Sequence, residues 1–314
     1  MYTSISTGAE IARLGIDGAF AAIKQAGFDG LDFGLDNLLK WREIMRPETN
    51  ILPFFSDDAE IARYTALIKT TAEKYDLKFV QFHAPFPSYV PNNALASENM
   101  KMACRKSIEI CGACGCDKIV IHPCFSGDPT EPLDSEEEWK LNIDFYSSFI
   151  PTLRKCGVKC CLENMFITDK KGKSFGAICS DITVACRYID TLNEIAGEML
   201  FGFCLDTGHL LMAGHDLAFA IQKLGDRLIA LHVHDNDGYH DDHNVPYVGG
   251  IQNWERFFLG LRAIGYKGDM NMETGNAVGR VPDALIPSTL RLLADTAKYF
   301  CDVVLKDENA IPLK

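Results

Sequence analysis

Six short apolar runs each end in a residue that can ligate a metal: Phe79-Val80-Gln81-Phe82-His83, Lys118-Ile119-Val120-Ile121-His122, Cys160-Cys161-Leu162-Glu163, Phe203-Cys204-Leu205-Asp206, Ile229-Ala230-Leu231-His232 and Met270-Asn271-Met272-Glu273. Runs of this kind read as buried strands of a parallel sheet. The carboxyl ends of such strands are where an α/β barrel carries its chemistry. Glu163, Asp206, His232 and Glu273 come from the last four strands, which are neighbours around a barrel. Three carboxylates and one imidazole form a mostly oxygen site suited to one divalent ion: Mn²⁺, Mg²⁺, Co²⁺ or Zn²⁺. Such an ion can chelate adjacent sugar oxygens and polarise a carbonyl, which acidifies the neighbouring C–H. One carboxylate then removes the proton, an enediolate forms, and a second acid returns the proton from the other face. Glu163 and Glu273 are the expected catalytic pair.

A second tier of residues surrounds this set. His83 and His122 share the strand-end placement and are expected to contact substrate or a further metal. His209 lies three residues after Asp206, so both face one pocket from a single strand-to-turn segment. Asp241 and His243 follow in the next loop. His234 alternates with His232, points to the same side of the strand, and is a rival ligand. Trp41 is read as substrate-binding, and Phe86, Tyr89, Phe125 and Trp254 are aromatic residues able to enclose a substrate or to serve ordinary loop packing.

The elements that must position these groups alternate along the chain. Strands are expected near 2–6 and 30–33, then ending at His83, His122, Glu163, Asp206, His232 to Asp235 and Glu273. Helices are expected near 17–26, 58–75, 97–111, from 134–135 onward, 180–195, 216–224, 254–264 and 282–300. Eight strands with helical crossovers predict an α/β protein built as a (β/α)8 TIM barrel, one domain over residues 1–314. An open doubly wound sheet would carry a Gly-rich phosphate turn after its first strand, and Gly8 alone does not make one. The loops 38–55, 85–96 and 236–253 all follow strands and are expected on the catalytic face as lids.

Composition narrows the function classes. At 314 residues the chain has room for one large barrel, and its formal charge of −12 argues against a nucleic-acid partner. No apolar stretch reaches the ~20 residues of a membrane span, and the N-terminus lacks the blocks of a signal peptide, so a cytoplasmic protein is expected. Of the twelve cysteines, Cys160, Cys161 and Cys204 sit inside apolar runs and read as buried free thiols. Cys111, Cys114 and Cys116 have soft-metal spacing, but they also close a helix just before a strand, where small residues favour tight packing. Homo-oligomerisation is left open.

The strings His83-Ala84-Pro85, Leu162-Glu163-Asn164, Leu205-Asp206-Thr207-Gly208-His209, Leu231-His232-Val233-His234-Asp235 and Met272-Glu273-Thr274 together resemble the xylose-isomerase-like TIM-barrel superfamily. The resemblance spans almost the whole chain. It implies sugar or sugar-phosphate isomerases and epimerases, inosose-processing enzymes and metal-dependent apurinic-site endonucleases. In the epimerase branch it implies one divalent ion on Glu163, Asp206, His232 and Glu273, with the two glutamates as the acid–base pair. In the endonuclease branch it implies a cluster of up to three zinc ions that also recruits His83, His122, His209, Asp241 and His243. Pro246-Tyr247-Val248-Gly249-Gly250 stands where many relatives resemble Pro-Gly-Glu-Gly, which puts the geometry of that loop in question. Arg42, Arg46, Lys170, Lys171 and Lys173 cluster after strands two and five, as solvated groups or as contacts to a sugar phosphate. The expected function is a divalent-metal-dependent carbohydrate isomerase or epimerase acting on a small sugar or sugar phosphate. The alternatives are a multi-zinc phosphodiesterase and an inosose-dehydratase-like lyase.

Overall fold

A computed structural model describes residues 1–39, 52–125 and 135–306. Eight parallel strands form the central sheet: β1 (Thr3–Ser6), β2 (Gly30–Gly34), β3 (Lys78–His83), β4 (Lys118–Val120), β5 (Lys159–Glu163), β8 (Phe201–Asp206), β9 (Leu228–His232) and β10 (Met270–Met272). Sequence neighbours pair in order, and β1 returns to pair with β10. The remaining gap is closed where Val233 N donates to Asn271 O at 2.9 Å and Glu273 N donates to Val233 O at 3.0 Å. The chain is a (β/α)8 TIM barrel, as the alternation of elements implied.

Helices form the outer ring: α1 (Gly8–Ala26), α2 (Asp58–Lys74), α3 (Ala94–Ala113), α4 (Ser135–Ser147), α5 (Ile150–Cys156), α6 (Ile182–Ala196), α7 (Thr207–Met212), α8 (Leu217–Leu224), α9 (Trp254–Ala263), α10 (Gly275–Gly279) and α11 (Ile286–Leu305). The first helix begins nine residues before the expected Asp17, because Gly15 at φ 67° kinks it rather than ending it. The short helices α7 and α10 and an antiparallel hairpin, β6 (Phe166–Thr168) with β7 (Ser174–Gly176), were not expected. The hairpin turns on Asp169, whose Oδ1 accepts from Lys171 N and Lys173 N at 2.8 and 2.9 Å. Lys170, Lys171 and Lys173 are thus the tip of this hairpin, and all three are exposed.

Strand periodicity builds the barrel interior in layers. Two residues before each strand-end group lies one interior residue of the layer beneath. Val120, Cys161, Cys204 and Ala230 form a separate apolar cluster below His122, Glu163, Asp206 and His232. On the other half of the same layer lie the buried polar residues Ser4, Asp32, Gln81 and Asn271. Outside the barrel, Trp254, Phe257 and Phe258 on α9 pack against Phe300 on α11, with ring centroids 4.9–6.0 Å apart. Each such fully buried ring contributes about 1.5–3 kcal/mol of transfer free energy.

The cysteines are all free. Cys111 and Cys116 are buried and donate to Lys118 O, each at 3.4 Å. A Cβ on the intervening Gly112 would lie 2.9 Å from Cys156 Cβ, so this small-residue segment lets α3 and α5 touch. Among the described residues no helix is long and apolar enough to cross a membrane.

Candidate active site

Glu163 and Asp206 end β5 and β8, His232 ends β9, and Glu273 follows β10 by one residue. Their four ligand atoms all lie within 4.8 Å of one another. His232 Nδ1 is 3.3 Å from Glu163 Oε1 and 3.4 Å from Glu273 Oε2. Glu163, Asp206 and His232 are essentially inaccessible. Yet Glu163 Oε2, Glu273 Oε2 and both His232 ring nitrogens are buried without a hydrogen-bond partner. Buried polar atoms are almost always satisfied, so the three that face one another here, Glu163 Oε2, Glu273 Oε2 and His232 Nδ1, fit a cation-binding site. The donor set, three carboxylates and an imidazole, has the chemistry for one.

Local structure fixes each group. Asn164 Nδ2 donates to Asp206 O and Asn164 Oδ1 accepts from Asp206 N, both at 2.9 Å, tying the ends of β5 and β8 together. Asp206 also caps α7, accepting from His209 N at 2.6 Å through Oδ1. Thr207 Oγ1 donates to His234 O at 2.8 Å and accepts from His234 N at 3.0 Å.

Two further groups flank the central four. His83 Nδ1 donates to Ala84 O at 2.8 Å, and its Nε2 faces His122 Nε2 at 3.0 Å. His122 Nε2 in turn lies 3.0 Å from Glu163 Oε2, so His83, His122 and Glu163 make a second convergent set. His122 stands two residues beyond the end of β4 rather than at it, but the even spacing keeps it on the interior side. On the opposite flank, His243 Nδ1 donates to Glu273 O at 2.7 Å and its Nε2 is 2.9 Å from Asp241 Oδ2. His209 Nδ1 donates to Asn164 O at 2.9 Å, and its Nε2 is 3.7 Å from Asp241 Oδ2. His234 stacks on His243 at 4.1 Å and reaches Asp206 Oδ2 with Nε2 at 3.0 Å. His232 therefore joins the central set and His234 the flank with Asp206, His209, Asp241 and His243. His243 adopts φ 48°, a strained conformation for a non-glycine residue, next to the groups it faces.

The electrostatics follow from this crowding. Burial alone would raise the Glu163 carboxyl, but His232 and His122 outweigh it and hold the group well below the carboxylate range. Burial pushes Glu273 up to about 7 against the opposing pull of His232 and His243. Burial lowers His83, but Glu163 and Asp36 more than compensate and carry it to about 9. The two glutamates thus sit in environments that drive their protonation apart.

A cavity of about 560 Å³ opens above this ring, lined by residues that include Asp32, Asp36, His83, Phe86, His122, His243, Glu273 and Asn276. Among its described lining there is no lysine or arginine. The loops 85–96 and 236–253 each contribute to it, through Phe86 and His243. Trp254 does not: it is buried in helix packing, and its Nε1 donates to Asp235 Oδ2 at 3.1 Å. Trp41, Arg42 and Arg46 lie outside the described residues. Asp32 was not foreseen, although an acid inside the apolar run Leu31-Asp32-Phe33 is the same signal that marked the other strands. It is buried in β2, and its Oδ2 lies 3.4 Å from His232 Nε2.

Residues 20–296 match the family model described as "Xylose isomerase-like TIM barrel", and the chain belongs to that family. It is 37% identical over 73 residues to the uncharacterized protein y4fM of Sinorhizobium fredii, a stretch spanning 23% of each chain. It is 28% identical over 215 residues to the uncharacterized protein MJ1311 of Methanocaldococcus jannaschii, covering 65% of this chain and 67% of the relative. It is 24% identical over 210 residues to "Probable endonuclease 4" of Mycobacterium leprae, covering 65% and 66%. Among solved structures, a D-tagatose 3-epimerase-like protein superposes with TM-score 0.65 at 21% identity over 97% of this chain and 98% of that one. A D-allulose 3-epimerase from Methylomonas sp. gives 0.67 at 18% over 97% and 98%. The zinc-bound IOLI protein gives 0.64 at 16% over 97% and 98%. These likenesses establish the fold.

Proposed function

We propose that this member of the xylose isomerase-like TIM-barrel family is a divalent-metal-dependent carbohydrate isomerase or epimerase that moves a proton at a carbon next to a carbonyl. The observation carrying the reading is the convergence of Glu163, Asp206, His232 and Glu273 beneath an acidic, sugar-sized cavity. The epimerase titles of structural neighbours agree with it. When bound, a divalent ion in the central set supplies Lewis acidity, acidifying the C–H beside a chelated carbonyl.

The chain's own groups do the rest. Glu163, held ionised by its histidines, accepts the proton at a carboxylate oxygen. Glu273, which lines the cavity, delivers a proton from its own side, and the roles reverse for the return reaction. Asp36 and Asn276 offer acceptors and donors to sugar hydroxyls from the wall, and Phe86 supplies an apolar face. Burial of Glu163, Asp206 and His232 keeps bulk water from the proton-transfer path.

The flanking sets favour a second reading, a multi-zinc phosphodiesterase, because His83 with His122 and Asp241 with His243 converge as tightly as the central four. The formal charge of −12 and the lack of lysine or arginine in the described lining weigh against a nucleic-acid backbone. Metal content per chain, measured on protein purified without chelators, separates the two. About one equivalent supports the isomerase; two to three equivalents of zinc, with cleavage of a model phosphodiester, would overturn it.

A further inference from the structure

Beneath the four central ligands, the barrel interior is apolar on one half and polar on the other. The polar half connects to only one of the ligands. Ser4 Oγ donates to Asn271 Oδ1 at 3.0 Å, Asn271 Nδ2 donates to Asp32 Oδ2 at 2.9 Å, and the same Asp32 oxygen faces His232 Nε2 at 3.4 Å. All four residues are buried. The other ring nitrogen, Nδ1, points at Glu163 and Glu273. From this geometry we infer that Asp32 is a positioning residue, which holds a proton on His232 Nε2 and so presents the Nδ1 lone pair to the cation site.

The chemistry is that of an imidazole with two distinct nitrogens. A ligating histidine must offer an unprotonated nitrogen, and the partner of its other nitrogen decides which one that is. A carboxylate can only accept, so Asp32 selects the Nε2–H tautomer and adds negative charge that strengthens Nδ1 as a donor. The sequence of contacts also explains why a polar side chain occupies each of β10, β1 and β2 at this depth. Asn271 fixes the carboxylate, Ser4 fixes Asn271, and a residue of β10 thereby supports a ligand of β9. The opposite half of the layer, Val120, Cys161, Cys204 and Ala230, offers no carboxylate or amide; its one group near the ligands is the Cys204 thiol, which lies within 4.8 Å of Glu163 and His232 ligand atoms. Asp32 borders the cavity but is itself buried; Asn271 holds its Oδ2, and its Oδ1 has no hydrogen-bond partner.

The inference rests on the metal reading above and is tested by affinity, not by turnover. Zinc binding to the full chain would be measured by competition with a chromophoric chelator. Asp32→Asn should lower affinity roughly 10- to 100-fold, the usual loss when such a partner is removed. Asn271→Ala, which frees the carboxylate without deleting it, should cost less. Gln81→Met, a change in the same layer at a residue not hydrogen-bonded to any ligand, should leave affinity within about twofold. In the zinc-loaded protein, long-range ¹H–¹⁵N spectra should show a protected His232 Nε2–H that Asp32→Asn exposes to exchange. Asp32→Asn binding zinc within twofold of the parent would overturn the assignment. So would an equal loss in Gln81→Met, since the effect would then be one of packing. If Asp32→Asn does not fold, Asn271→Ala carries the test, and unchanged affinity there overturns it. Normal zinc affinity without isomerase activity would refute only the proposed reaction, whereas a parent chain that takes up no divalent ion refutes both.

Discussion

Gly208→Ala sets two physical effects against each other at the candidate site. Gly208 lies in the first turn of α7, where alanine is favoured over glycine by about 1 kcal/mol on helix propensity alone. A Cβ there, however, would sit 2.0 Å from His234 Cε1 and 2.6 Å from both ring nitrogens. Ordinary contact needs about 3.4 Å, so the ring must retreat by more than an ångström. That carries Nε2 away from Asp206 Oδ1 and Oδ2, now at 3.1 and 3.0 Å. Overpacking costs roughly 1–3 kcal/mol, and losing a buried charge-assisted hydrogen bond roughly 1.5–3 more. The clash therefore outweighs propensity, and the substitution should destabilise the fold by roughly 1.5–5 kcal/mol after the helical gain is subtracted. Urea unfolding of Gly208→Ala, alone and in a His234→Ala background, is the assay. In the second background the ring is gone and the sign should reverse to mild stabilisation. Gly208→Ala as stable as the parent, or equal effects in both backgrounds, would refute the idea that this glycine exists to admit His234.

The other predictions concern pH, catalysis and the loop. Burial pushes the Glu10 carboxyl up to about 8 from 4.5, and neither oxygen has a hydrogen-bond partner. Between those values the unfolded chain releases a proton that the folded chain keeps, so stability falls as pH rises, by about 1.4 kcal/mol per unit. Glu10→Met should thus gain about 3 kcal/mol relative to the parent between pH 5 and 7.5, and parallel curves in urea titrations would contradict this. Glu163→Gln and Glu273→Gln should each cut proton exchange at the substrate carbon roughly 10²–10⁴-fold while circular dichroism stays unchanged; more than about a tenth of activity left in both excludes the two-glutamate mechanism. Asp235 accepts from Asn236 N, Gln252 N and Trp254 Nε1 and so closes the loop that carries Asp241 and His243. Asp235→Ala should lower Tm and reduce any metal held beyond the first equivalent, as read by elemental analysis.

Much of this arrangement was legible from strand ends. A strand buried on both faces writes an uninterrupted apolar run, so a His, Asp or Glu at its end stands out, and Glu163, Asp206, His232 and Glu273 do converge. What periodicity could not resolve was the fate of residues past the strands. His232 and His234 share a side, yet only the three-dimensional path of the loop sends one to the central set and the other to Asp206 and Asp241. The hairpin at 166–176 was missed because its strands are three residues each and half exposed, too short for a period to show. Asp32 escaped notice because it lies within its run rather than at the end, where the support of a ligand, not the ligand itself, is placed. Trp254 illustrates the converse: an aromatic near a catalytic loop that spends its ring on helix packing and its N–H on Asp235.

The most direct test of the central claim is solvent deuterium uptake. The protein would be stripped with chelator, reloaded with manganese, cobalt, magnesium or zinc, and incubated in D₂O with a panel of ketoses and ketose phosphates while the C–H signals are followed by NMR. The account predicts loss of a single C–H signal beside the carbonyl of at least one sugar, abolished by chelation and restored by metal. No exchange in any sugar from fully loaded protein, with phosphodiester cleavage in its place, would contradict it.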